Sequence, residues 1–94
     1  MDDPSEERIK RVISDILCSG NIIVSSHAKQ RMSERNFSNT DIRHILKNGS
    51  LTEACLHKGQ YRYTFSGDDI EGDCGAVVIE LRENKGNIII ITVK

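Results

Sequence analysis

Residues 25–35 read SSHAKQRMSER, and within them His27 is followed four and eight positions later by Arg31 and Arg35. At about 100° per residue, a helix gathers His27, Arg31, Arg35 and Glu34 into one sector. Imidazole moves protons near neutral pH, and at the first turn of a helix the free backbone N–H groups disfavour its cation, leaving a usable base. Arginine cannot lose its charge, and its planar fork matches two phosphate oxygens at once. The spacing therefore suggests acid/base chemistry beside a bound phosphate. The plain alternative is a solvated polar face with His27 packed or hydrogen-bonded locally.

A second cluster is Tyr61, Arg62 and Tyr63. Tyrosine can stack on a nucleobase or donate to a phosphate, and Arg62, on the strand face opposite the two rings, supplies another cation. Alternating aromatics are also ordinary strand composition. Cys18, Cys55 and Cys74 are odd in number and widely spaced, which argues against a disulfide framework and for buried or incidental thiols in a reducing compartment. A zinc site joining them to His27, His44 and His57 lacks paired ligand spacing, so no metal or other cofactor is expected. His44 and His57 read as surface histidines. Asp68, Asp69, Glu71 and Asp73 follow no calcium-loop pattern and read as turn residues.

Ninety-four residues make room for one core and one site, expected as a single domain over 1–94. The net charge of −1 hides a pattern. Residues 1–7 carry four acids and no base, residues 21–65 seven bases against three acids, and residues 66–94 six acids against three bases. The basic centre can attract a polyanion, though far less strongly than a dedicated duplex binder. The longest apolar run, residues 88–91, is too short to cross a bilayer, and the acidic N-terminus lacks a secretion-signal layout. No membrane partner and a cytoplasmic location are expected.

The elements that must position these groups follow from period and punctuation. Ile9, Val12, Ile13, Ile16 and Leu17 recur at helical spacing within residues 1–20, with Asp3 as cap, Pro4 in the first turn and Gly20 as terminator. Residues 22–24 read as a short extended or irregular link. Residues 25–49 then hold two further helices, one over about 26–36 with only Ala28 and Met32 facing inward. The other has Ser38 and Asp41 as an approximate capping box, Ile42, Ile45 and Leu46 inward, and Gly49 at its end. Residues 51–94 change to strand period: 51–57 and 61–65 form a hairpin, and 76–81 and 88–93 read as inner strands. The expectation is an α+β domain with its helices on one face of an about four-stranded antiparallel sheet.

Residues 25–49, the stretch YRYTFSGDDIEG and the terminal VVIEL and IIIITV together resemble a family of small bacterial proteins known as domain of unknown function 4258. The resemblance covers about residues 24–93, and its most specific part is His-Ala-x-x-Arg-Met-x-x-Arg, matched by His27, Ala28, Arg31, Met32 and Arg35. It implies membership of a wider barnase-like and RelE-like group of helix-then-sheet domains, many of them metal-independent ribonucleases and toxins. It further implies that His27, Arg31 and Arg35 form the polar motif, with Tyr61, Arg62 and Tyr63 on a matching strand and Thr92 in the final one. Similar sequences often continue past the Thr-Val pair with an aromatic residue, where Lys94 stands here.

The expected activity is cleavage of RNA by its own 2′-hydroxyl, with His27 as acid/base and Arg31 and Arg35 on the phosphate. An antitoxin-like protein is the expected partner besides RNA. Two competing readings use the same basic face: a non-catalytic module for nucleic acid or an acidic protein segment, and a toxin-like fold kept as an assembly partner.

Overall fold

The computed structural model describes residues 6–82 and 85–94. Its elements run α1 (Glu6–Ser19), β1 (Asn21–Val24), α2 (Ser26–Arg35), α3 (Asn39–Asn48), β2 (Ser50–His57), β3 (Gln60–Asp68), β4 (Cys74–Arg82) and β5 (Asn87–Val93). The apolar stripe of α1 is buried at Ile9, Ile13 and Ile16, and Gly20 N–H closes the helix on Ile16 O at 2.7 Å. The expected Asp3 cap and Pro4 turn lie outside the described residues. In α3 the capping box is complete: Ser38 Oγ accepts from Asp41 N, and Asp41 Oδ2 accepts from Ser38 N at 2.9 Å.

Gly49 ends α3 in extended backbone, so its role is space rather than a left-handed turn. A Cβ there would lie 2.6 Å from both Ile45 O and Ser66 O, where the helix end presses on β3. The hairpin between β2 and β3 turns on Lys58 and Gly59, both at positive φ (50° and 83°), with His57 paired to Gln60. Two consecutive positive φ values are the signature of the tight turn whose twist matches paired strands.

The sheet has five strands in the order β1-β5-β4-β3-β2, and it is mixed. β1 joins it parallel to β5, with Ile22, Ile23 and Val24 opposite Ile88, Ile89 and Ile90, while the other three pairings are antiparallel. This corrects the expectation of an about four-stranded antiparallel sheet. The segment read as a link is a strand, because four residues of unbroken Asn-Ile-Ile-Val show no alternation by themselves and gain their order from β5.

Strand pleating sorts the side chains between two faces. Leu51, Phe65, Tyr63, Val77, Ile79, Leu81, Ile88, Ile90, Val93, Ile22 and Val24 turn toward the helices and pack with Ile9, Ile13, Ile16, Ala28, Phe37, Ile42, Ile45 and Leu46. On the other face Arg62, Thr64, Val78 and Thr92 remain half-buried, although β4 is the central strand. The helices thus cover one side of the sheet, as expected of an α+β fold.

Candidate functional site

β1 stops at Val24 opposite Ile90, whereas β5 runs on to Val93. α2 occupies the edge that β1 leaves free. Ser25 makes the turn: its N–H donates to Ile90 O at 3.2 Å and its hydroxyl donates to Ile91 O at 3.1 Å, while Oγ accepts from Ala28 N at 3.1 Å as the helix cap. Ala28 is fully buried and Met32 half-buried, so the expected narrow inward stripe is present and fixes the rotation of the helix.

That rotation puts His27 on the surface, at the second position of α2, with no hydrogen-bond partner among the described residues. Arg31, one turn on, is half-buried: Nε reaches Val93 O at 3.5 Å and Nη1 stands 3.6 Å from Glu34 Oε1. Thr92 Oγ1 donates to the same Val93 carbonyl at 3.4 Å, so Arg31 and Thr92 share one acceptor at the end of β5. Arg35 is exposed in the last turn of α2. The helix therefore presents an imidazole, a guanidinium and a second guanidinium along one edge, with Thr92 beside the middle one.

The second cluster separates. Tyr61 and Tyr63 stack at 6.1 Å and 18° on the helix side of the sheet, Tyr61 beyond the helices and 55% exposed. Arg62 points to the open face, which by register it shares with Thr92. Sequence reasoning missed its partners there. Arg62 pairs across the strands with Glu80, which is 6% exposed, and Arg82 approaches Glu80 from two residues further along β4. Glu80 Oε2 accepts from Arg82 Nε at 2.8 Å and from Arg82 Nη2. Arg62 Nε lies 3.6 Å from Glu80 Oε1, beyond a hydrogen bond, and is buried without an acceptor among the described residues. Such a donor costs about 1–3 kcal/mol. The signal in the sequence was partial: an acid interrupts the apolar run VVIEL on the parity of Val78 and Arg82, and register shows that this parity faces the open side.

Residues 24–94 match the model of a family described as a domain of unknown function, DUF4258. The chain belongs to that family. No curated protein and no solved structure matches it significantly. The DUF4258 match takes in α2, α3 and strands β2 to β5, hence His27, Arg31, Arg35, Tyr61, Arg62, Tyr63 and Thr92, together with Glu80 and Arg82. Helix α1 precedes it.

Elsewhere in this DUF4258 chain, of the two expectations for the thiols, burial is overturned: Cys18, Cys55 and Cys74 are all exposed. The cysteines of β2 and β4 fall at a strand near the sheet edge and at a strand start, places the apolar core does not reach. A hydrogen bond to Glu53 at 3.0 Å raises the Cys55 thiol above its ordinary value, which disfavours a reactive thiolate. Among the described residues no group of three or more His, Cys, Asp or Glu is placed to hold a metal ion. The acids of the β3–β4 connection serve the turn, Asp69 Oδ1 accepting from Glu71 N and Asp73 N at 2.9 Å each. Asp41 titrates below the usual carboxylate range, first through Ser38 N–H, against the opposing effect of burial, and then through Ile70 N–H and the Ser38 hydroxyl. A cavity of about 400 Å³ lies between α1, the start of β1 and the β4–β5 turn, lined by Val12, Ile16, Asn21 and Lys85 among others and by none of the basic residues of α2. No described helix is long and apolar enough to cross a membrane.

Proposed function

We propose that this domain is a toxin-like endoribonuclease that needs no metal, of the barnase-like and RelE-like kind that its family resemblance implies for an α+β fold. That likeness is one of architecture, and architecture alone assigns no chemistry. The observation that carries the reading is the pairing of His27 with Arg31 one turn apart on a helix whose first turn is tied to β5, both left outside the core.

In the reaction, His27 takes the proton of a ribose 2′-hydroxyl as its oxygen attacks the neighbouring phosphorus. The bond from phosphorus to the 5′-oxygen breaks, and the imidazolium returns its proton to that leaving oxygen. The products are a 2′,3′-cyclic phosphate and a 5′-hydroxyl. Arg31 and Arg35 stabilise the extra negative charge of the five-coordinate phosphorus, and Arg62 contacts the substrate away from the reacting group. The Arg31–Glu34 pair at 3.6 Å is an exposed contact of small net worth and yields readily to a phosphate. Tyr61, Tyr63 and Thr92 would contact substrate in this reading, although the two rings stand on the side of the sheet opposite Thr92. A cytoplasmic location and an antitoxin-like partner belong to the same proposal.

A second reading has an observation of its own. Among the described residues no side chain is hydrogen-bonded to the His27 imidazole, whereas a catalytic base is ordinarily held by a further group. A non-catalytic module that binds nucleic acid or an acidic protein segment through Arg31 and Arg35 accommodates that exposure. Incubation of mixed RNA with the purified chain in chelator separates the two. Cleavage by the wild type that falls in His27→Ala supports the enzyme; an inert wild type, or a fully active His27→Ala, refutes the assignment.

A further inference from the structure

The open face of the sheet carries a cluster that the chemistry at α2 leaves unused. Arg62, Glu80 and Arg82 form one contiguous group at the middle strands, with the acid buried and the two guanidinium groups about one-third exposed (32% and 38%). Two positive charges against one negative leave a surplus of one. Glu80 holds Arg82 through two N–H groups to a single oxygen, which fixes the guanidinium plane. Arg62 is held only loosely, and its buried Nε has no acceptor among the described residues. Arg62 is thus paired less closely than Arg82, which leaves the exposed part of its guanidinium freer to take a second anion.

We propose that Arg62 and Arg82, positioned by Glu80, form a binding site for one phosphodiester of single-stranded RNA, one or two nucleotides away from the phosphate held at α2. This rests on the reading of the chain as an RNA-directed protein. A phosphodiester carries the single negative charge that balances the cluster, and its paired oxygens match the arginine forks. The placement fits as well. Arg62 and Thr92 share the open face, two strands and about two residues apart, or roughly 12 Å by strand spacing and rise. An extended RNA strand can therefore run from the α2 edge across β5 and β4 to Arg62. The other acids that register puts on this face are Glu53, engaged by the Cys55 thiol at 3.0 Å, and Asp68, approached by the Cys74 thiol at 3.9 Å at the far end of β3. Glu80 acts through the arginines and is a positioning residue.

The test uses a fluorescent oligonucleotide of 2′-O-methyl RNA, which cannot be cleaved by its own 2′-oxygen, and measures its Kd over a range of salt. For the double variant Arg62→Gln with Arg82→Gln, Kd should weaken about tenfold, as expected for a lost charge-assisted contact. The slope of log K against log salt should fall by about 0.7, the value for one phosphate of a single strand. Glu80→Gln adds a positive charge, so a purely electrostatic surface would bind more tightly, whereas loss of positioning weakens binding. In the wild type, titration with dimethyl phosphate should shift the Nε–H signals of Arg62 and Arg82 in a nitrogen-correlated NMR spectrum. Unchanged slope in the double variant, tighter binding by Glu80→Gln, or shifts confined to the arginines of α2 would each overturn the site. Because the strand is uncleavable, binding is read without turnover, and failure here is distinct from failure of the ribonuclease reading.

Discussion

Ser25→Ala removes two interactions with one hydroxyl, and their worth can be separated. The cap to Ala28 N–H and the bond to Ile91 O are both 3.1 Å long. Loss of an N-cap costs typically about 1 kcal/mol, and loss of an ordinary hydrogen bond about 1 kcal/mol more. The variant should thus be less stable by about 2 kcal/mol, which for a domain of this size lowers Tm by roughly 8–16 °C. Ser25→Asp keeps an oxygen that can accept from Ala28 N–H but has no proton for Ile91 O, and should recover about half of the loss. Urea unfolding of the three proteins, read by circular dichroism, gives the numbers directly. RNA cleavage should follow the same order, because His27 stands only two residues after the cap. A stability of Ser25→Ala within about 0.5 kcal/mol of wild type, or an aspartate variant no better than the alanine, would refute the double role.

His27→Ala should cut RNA cleavage by about 10² to 10⁴-fold while moving stability by less than about 0.5 kcal/mol, since the side chain is exposed; cleavage rate and thermal melting check the pair. Asp41→Asn should be less stable than wild type at neutral pH. Because the folded carboxylate titrates below its ordinary value, that advantage is fully present above about pH 4, where an unfolded aspartate titrates, and is lost as pH falls through the folded value. Denaturant midpoints of the two proteins should therefore converge on acidification. Gly59→Ala should cost about 1 kcal/mol in a chemical melt, through φ alone, because a Cβ at that turn meets nothing within 4 Å. Phe65→Ala, by contrast, empties the centre of the core and should cost about 3–5 kcal/mol in the same assay.

Where sequence period and packing agree, the fold was legible. The isoleucines of α1, the Ser38–Asp41 box and the Lys58-Gly59 hairpin each carry their signal within a few residues of chain. β1 does not: its order comes from β5, more than sixty residues later, and no local pattern encodes a parallel pairing. The candidate site divides in the same way. His27, Arg31 and Arg35 fall on one edge because i, i+4 spacing is a property of any helix, whereas the acceptor that Arg31 shares with Thr92 required α2 to be docked on β5. Glu80 was hidden for a related reason. An acid within a hydrophobic run reveals its face only once the strand register is known, and its two arginines come from different strands.

The place of β5 between β1 and β4 has a consequence for biosynthesis. A ribosome that has released everything up to Arg82 has supplied α1, β1, all three helices' apolar faces and the β2–β4 meander, yet β1 still has no strand to join. Residues 87–93 are the insert that unites the two halves, and they also provide the carbonyls on which Ser25 and Arg31 rest. The meander can form as translation proceeds, but the edge bearing His27 must wait for the last of these seven residues. Any activity seated there is thereby withheld from chains that have not yet reached Val93.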